Sequence, residues 1–196
     1  MTTLIIFIKN PKLGKVKTRL AVTVGDEKAL SIYKKLLDFT QKLAISLPCE
    51  RLLFYSDEIE TNDNWSDIFF QKNKQHGNDL GERMKNAFQK TLLTSKKAVI
   101  IGSDCAELTK EILENAFDAL EKNDFVIGPA EDGGYYLIGM NYFEPSVFEN
   151  INWSTEEVLP KTLEKIAHLE RKVALLPTLS DTDNEEDWKK IAHLLM

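Results

Sequence analysis

Histidine and cysteine are scarce in this chain. The three histidines, His76, His168 and His193, are scattered, and the two cysteines, Cys49 and Cys105, stand far apart. That argues against a zinc site and against a disulfide framework, and nothing points to an oxidising compartment. Basic residues are outnumbered, 25 Lys and Arg against 31 Asp and Glu. A general nucleic-acid binder is therefore not expected, and any anion site must be a local concentration of cations. Long apolar runs are absent too: the first, Leu4 to Ile8, is too short for a membrane span or a leader, and its cations follow rather than precede it. A cytoplasmic protein with no membrane partner is the expectation. There is no internal repeat or low-complexity segment, and 196 residues suit a single domain over 1–196.

What is present is organised around Lys97-Ala98-Val99-Ile100-Ile101-Gly102-Ser103-Asp104. An unbroken apolar run with β-branched residues at its centre reads as a strand buried on both faces, as in a parallel sheet. Its C-terminal end opens at the edge where such sheets bind ligands. Asp104 is delivered there, although a turn cap would also account for a single aspartate.

The first strand, Leu4 to Ile8, runs into a loop carrying five cations and no acid: Lys9, Lys12, Lys15, Lys17 and Arg19. If Lys15 to Arg19 is extended, Lys15, Lys17 and Arg19 share a face by the period of two. Gly14 lets the backbone bend close to a ligand. Such a loop suits a polyphosphate, yet it lacks the earlier glycine of a Walker A motif. A helix is expected from Gly25-Asp26 to Pro48, a strand over Arg51 to Tyr55 and a short third strand at Ile68-Phe69-Phe70. Asp79 and Glu82 form a capping-box pattern. Capping does not explain Gly81 in the first turn, for which a close ligand contact is one account.

Thr109 can cap a helix running to Leu120, and Phe125 to Gly128 is the next buried strand. It ends in Pro129-Ala130-Glu131-Asp132-Gly133-Gly134, ordinary turn chemistry placed at the same expected edge as Asp104. Tyr135 to Met140 is a strand whose aromatics serve the core or a ligand ring. Ser154 to Glu157 repeats the capping-box pattern, with Pro160 set to kink the helix or displace its start. Trp153 reads as packing. Val173 to Leu176 is the last strand, followed by Asp181 and Asp183 and a helix through Trp188 and Ile191.

Alternating strands and helices indicate an α/β sandwich with a largely parallel sheet. Asp104, Asp132, Asp181 and Asp183 all follow predicted strands, so one edge gathers carboxylates. Oxygen ligands alone favour a hard cation, Mg2+ or Mn2+. A basic first loop beside an acidic site suits a nucleotide di- or triphosphate.

The words Lys9 to Leu20, Asp79 to Met84, Gly102-Ser103-Asp104-Cys105, Gly128 to Gly139, Trp153-Ser154-Thr155 and Asp181-Thr182-Asp183 resemble the glycosyltransferase-like, selenodomain-associated transferase family. That family lies within the GT-A nucleotide-diphospho-sugar transferase superfamily, and the likeness covers nearly the whole chain. The resemblance implies a GT-A fold, a three-layer sandwich on a mostly parallel mixed sheet, and a nucleotide-bound donor. It implies that Lys17 and Arg19 hold phosphates and that Asp104, Asp181 and Asp183 hold metal. One departure is visible: Ala106-Glu107 stands where the family usually has Pro-Asp.

The leading expectation is a metal-dependent glycosyltransferase. Its nucleotide-binding set is Lys9, Gly14, Lys15, Lys17, Arg19, Gly81 and Arg83. Its catalytic residues are Asp132, as base, and Lys17, and Glu131, Asp132, Gly133, Gly134 and Tyr135 meet a small-molecule acceptor. The donor is a nucleotide sugar, or a nucleoside triphosphate under the alternative of nucleotidyl transfer with release of pyrophosphate. A nucleotide-binding module without catalysis is the third reading. The oligomeric state is left open. If Asp104 is a metal ligand, Asp104→Asn should leave stability unchanged or raise it by relieving repulsion among the acids.

Overall fold

In the computed structural model, which describes residues 1–195, seven strands form one sheet. They are β1 (Thr2–Ile8), β2 (Glu50–Tyr55), β3 (Gln71–Lys74), β4 (Lys97–Ile101), β5 (Phe125–Pro129), β6 (Tyr135–Met140) and β7 (Val173–Leu175). Their spatial order is β3-β2-β1-β4-β6-β5-β7. β1 pairs in parallel with both β2 and β4, β2 with β3, and β5 with β7, while β6 runs antiparallel between β4 and β5. The mixed, mostly parallel α/β sheet is the architecture expected.

The apolar runs explain which strands are central. Every residue of β4 and β5 is buried, as are Thr3 to Ile8 of β1. Alternate side chains feed opposite layers, as the strand period requires. Leu4, Ile6, Val99 and Ile101 pack with Tyr33 and Leu37 of α2 (Asp26–Ile45) and with Leu113 and Ala116 of α4 (Lys110–Ala119). Ile5, Phe7, Ala98 and Ile100 pack with Met84, Ala87 and Phe88 of α3 (Leu80–Thr91) and with Ile166 of α5 (Val158–His168). Two short helices, α1 (Thr18–Val24) and α6 (Glu185–Ile191), close over α2 through Leu20, Ile32, Leu36 and Ile191.

Three local expectations are corrected. Ile68-Phe69-Phe70 is a turn rather than a strand: Ile68 is exposed, and Phe70 is buried edge-on to Trp65 at 4.7 Å. The strand is the polar Gln71–Lys74 that follows, which an edge position permits because one side needs no apolar cover. Lys15 to Arg19 is not extended either. Lys17 adopts a left-handed backbone (φ 49°, ψ 44°) and α1 begins at Thr18, so Lys17 and Arg19 are brought together by a helix start. Ser154 forms no capping box: it too is left-handed (φ 65°), and α5 begins only after Glu157. Pro160 then sits in the first turn, where its missing N–H leaves no helical hydrogen bond unmade.

Asp79 and Thr109 cap their helices as expected, with bonds of 2.8 Å from Glu82 N and 3.2 Å from Ile112 N. The box at Asp79 is not closed, because Glu82 Oε2 accepts from Asn78 N at 2.8 Å instead of from Asp79 N. Gly81 has a different cause from the one expected, since a Cβ there would lie 2.4 Å from the Trp153 indole. The glycine is accounted for by that packing.

Gly128 offers a test of the same kind. A Cβ at this strand position would stand 2.3 Å from the Tyr136 ring, whose hydroxyl donates to Pro177 O at 2.9 Å. Gly128→Ala is expected to cost about 1–3 kcal/mol by overpacking. Thermal melts should show the loss, and Gly128→Ala/Tyr136→Leu should recover part of it.

Candidate functional site

Six strands end at one edge of the sheet, and antiparallel β6 begins there. The edge lies where the strand order turns back between β1 and β4, the usual ligand position in open α/β sheets. Tyr33 of α2 ties those two strand ends together. Its hydroxyl donates to Lys9 O at 3.1 Å, accepts from Lys9 N at 2.8 Å and meets Ser103 Oγ at 3.2 Å. With its one proton given to Lys9, Tyr33 must accept from Ser103.

Asp104 follows directly, and its carbonyl accepts from Thr182 N at 3.0 Å. Thr182 is buried, and the acids on either side of it, Asp181 and Asp183, are half-buried. The departure at Ala106-Glu107 is compensated here, because the Glu107 carboxylate accepts from Ser180 N at 2.9 Å and holds the same arm.

Lys17 lies between the acids. Its Nζ is 2.8 Å from Asp104 Oδ1 and 3.6 Å from Asp183 Oδ1, while Arg19 Nη1 is 3.2 Å from Asp183 Oδ2. The Lys17 side chain is 5% exposed. The 2.8 Å contact lacks hydrogen-bond angles, so Lys17 Nζ and Asp104 Oδ1 are both buried without a hydrogen-bond partner. Burial first, and the Asp104 charge second, push the Asp181 carboxyl up to about 7, with Lys17 opposing and Asp132 and Asp183 adding.

Asp104 is also the wall between two cavities. The larger, about 400 Å3, includes Lys9, Tyr33, Ser56, Gln75, Arg83, Tyr135, Ser154 and Asp181 in its lining. The smaller, about 140 Å3, is lined by Lys9, Lys15, Val16, Lys17, Thr18, Arg19, Tyr33, Asp104 and Asp183. Four cations around so small a volume suit phosphate oxygens.

The expected residues divide accordingly. Lys9, Lys15, Lys17 and Arg19 come together, as do Asp104, Asp181 and Asp183. Arg83 faces the larger cavity with its Nε donating to Gly77 O at 3.2 Å. Gly14 makes a left-handed turn (φ 69°) beside Asp26. Asp132 is exposed, with Oδ1 accepting from Gly134 N at 2.9 Å. Glu131 is exposed, its N–H donating to Leu179 O at 3.1 Å. Gly133 serves packing: a Cβ there would lie 2.6 Å from the Glu156 backbone. The Tyr135 hydroxyl is buried, and Tyr135 packs with the apolar layer under the cavity. Tyr33, Ser56 and Gln75 are not singled out as site residues by sequence, and Ser103 and Ser154 stand there only inside motifs, without a site role of their own. Tyr33 reads there as one more buried helix position.

Among the described residues, no three His, Cys, Asp or Glu side chains stand close enough together to hold a metal ion. The lysine ammonium stands between two of the acids. The unpartnered Asp104 Oδ1 and the crowding at Asp181 nonetheless fit a cation bound through oxygen, provided Lys17 moves.

A family described as an uncharacterized protein conserved in bacteria (DUF2064) matches residues 39–155. The chain belongs to that family. No curated protein matches this DUF2064 chain in sequence. Among solved structures, a Desulfovibrio desulfuricans protein provisionally named a nucleotide-diphospho-sugar transferase is 29% identical. The match covers 99% of this chain and 96% of that one, with a TM-score of 0.87. The 4-diphosphocytidyl-2C-methyl-D-erythritol synthase of Anaerococcus prevotii is 12% identical over 100% and 96% of the two chains, with a TM-score of 0.60. Rv0371c of Mycobacterium tuberculosis, solved in complex with manganese, is 12% identical over 98% and 97%, with a TM-score of 0.53. The last two share the fold. The DUF2064 chain thus has the GT-A architecture of nucleotide-diphospho-sugar transferases. No helix among its described residues is long and apolar enough to cross a membrane.

Two outcomes are expected from these electrostatics. Because Asp181 binds its proton more tightly folded than unfolded, it contributes stability that is complete below about pH 4 and lost as pH rises through about 7. Melts of metal-free parent and Asp181→Asn across pH 5–8 should show the parent losing ground to the variant as pH rises. Asp104→Asn would leave the Lys17 ammonium buried with Asp183, at 3.6 Å, as its nearest carboxylate. The earlier expectation therefore changes sign: the variant should melt lower than the parent.

Proposed function

We propose that this chain transfers a glycosyl group from a nucleotide sugar to a small acceptor. The observation that carries the reading is Asp104 as the common wall of a cationic pocket and a larger cleft. A diphosphate in the small pocket places its bond to the sugar at the mouth of the large one.

In the reaction, the bond between the sugar's anomeric carbon and the diphosphate oxygen breaks, and a bond from the acceptor oxygen to that carbon forms. Negative charge develops on the departing diphosphate. Lys9, Lys15, Lys17 and Arg19 stand ready to stabilise it, and preorganised cations of this kind are among the largest contributions to catalysis. Asp132 takes the acceptor proton if configuration inverts; it is exposed at the edge and close enough to Asp181 to raise its pKa. A divalent cation, Mg2+ or Mn2+, held by Asp104, Asp181 and Asp183 would supply further neutralisation at the diphosphate. The solved relative with manganese supports that choice of ion class.

A second reading has its own observation. Four cations around about 140 Å3 also suit a leaving pyrophosphate, and one solved structure sharing this fold is by name an inositol-1-phosphate CTP transferase. Nucleotidyl transfer would use a nucleoside triphosphate and an acceptor phosphate or carboxylate. A non-catalytic nucleotide module is less well supported, because burial and the neighbouring Asp104 charge raise the pKa of Asp181, and groups perturbed in this way cluster at functional sites.

Product analysis separates these. Incubation with a panel of nucleotide sugars and triphosphates, with Mg2+ or Mn2+, is expected to release nucleoside diphosphate from a nucleotide sugar. Pyrophosphate from a triphosphate would instead establish the second reading, and nucleotide binding without any turnover the third. In calorimetric titration, Lys17→Ala is expected to weaken nucleotide binding about tenfold or more, the scale of one lost charge-assisted contact.

A further inference from the structure

Lys17 has three features that phosphate binding alone does not require. Its backbone is left-handed, a conformation uncommon outside glycine and costly for a long side chain. Its side chain is 5% exposed, whereas that of Arg19 beside it is 74% exposed. Its ammonium rests on the acids, 2.8 Å from Asp104 and 3.6 Å from Asp183, with no hydrogen-bond partner. A cation waiting for a ligand would be better hydrated in the open pocket.

We propose that Lys17 is a resident cation of the acid site, which holds Asp104 and Asp183 together without nucleotide and makes divalent-cation binding conditional on nucleotide. The inference deepens the reading above and rests on it for the nucleotide. The physical basis is competition for one atom. An ammonium at 2.8 Å from Asp104 Oδ1 and a divalent ion bound to that same buried oxygen would repel each other strongly at such short range. The ammonium must leave first. Phosphate oxygens in the smaller cavity, which Lys17 itself lines, give it somewhere to go. Metal and nucleotide then favour each other's binding, and by linkage the factor is the same in both directions.

The strained backbone has a place in this account. Lys17 takes this left-handed backbone immediately before α1, and from there its side chain reaches Asp104 beyond the end of β4. Arg19, already on Asp183, is positioned to keep that acid compensated when Lys17 departs. The chain thereby avoids an uncompensated acid pair in either state.

The test is Mn2+ binding to the whole chain without nucleotide, read as loss of the free-ion paramagnetic resonance signal. The parent is expected to bind weakly. Lys17→Met keeps the length and removes the charge, so it should bind Mn2+ about tenfold or more tightly than the parent, since a charge at this range moves an ionic equilibrium by that much. The gain should vanish in Lys17→Met/Asp104→Asn. If the parent binds Mn2+ as tightly as Lys17→Met, or the gain survives Asp104→Asn, the proposal is overturned. Should Lys17→Met fold poorly, its melting temperature with and without Mn2+ decides: a larger rise than in the parent supports the proposal, and an equal or smaller rise rejects it. Failure of every nucleotide to bind the parent would overturn the reading of the site instead, and would leave the nucleotide-free comparison standing.

Discussion

Helices cover both faces of the sheet, and that constraint governs where polar chemistry can go. With β1, β4, β5 and β6 buried on both sides, a charged side chain in the middle of any of them would need a partner inside the core; Lys97, the charged residue of β4, stands at its first position and reaches out to Glu121. The strand ends are the places left. Because six strands run the same way, their C-terminal ends deliver Lys9, Ser56, Gln75, Asp104, Asp132 and the 181–183 arm to one edge. The single Tyr33 hydroxyl, bonded to Lys9 and near Ser103, then sets the distance between the basic and acidic halves of that edge. Burial decides the location, and a few hydrogen bonds decide the geometry.

The unbroken apolar runs made β1, β4 and β5 readable, since only a strand covered on both faces tolerates them. Once those strands were placed, so were Asp104 and the loop of cations. The misreadings share a cause, which is that the deciding partner lies far along the chain. Ile68-Phe69-Phe70 carries more apolar character than Gln71–Lys74, yet the polar segment is the strand because it pairs with β2 at the sheet edge. Gly81 and Gly133, expected at the nucleotide and the acceptor, have a packing reason as well, since a Cβ at either would strike Trp153 or the Glu156 backbone. Lys17, expected among the phosphate cations, also meets Asp104, a contact that joins positions 87 apart in the chain and that no local spacing announces.

That contact changes the electrostatic character of the site. Read as a list, Asp104, Asp181 and Asp183 are a cluster of like charges in a chain already at −6. In the folded molecule two of them are compensated by Lys17 and Arg19, while burial first, and the Asp104 charge second, raise the carboxyl of the third to about 7. The same three residues therefore divide into a neutralised pair and a proton-holding neighbour. An acid site of this kind is stable without an added ion, which a bare triad would not be.

The bond from Thr182 N to Asp104 O joins the two halves of the acid site through main chain alone. Its donor belongs to a residue 1% exposed, between Asp181 and Asp183 in the chain, so for solvent to reach that amide the arm carrying the two acids has to part from Asp104. The rate at which Thr182 trades its hydrogen for deuterium is thus a clock for the opening of the arm. Slow exchange would describe a site assembled before any ligand arrives, and fast exchange one that is repeatedly taken apart and rebuilt.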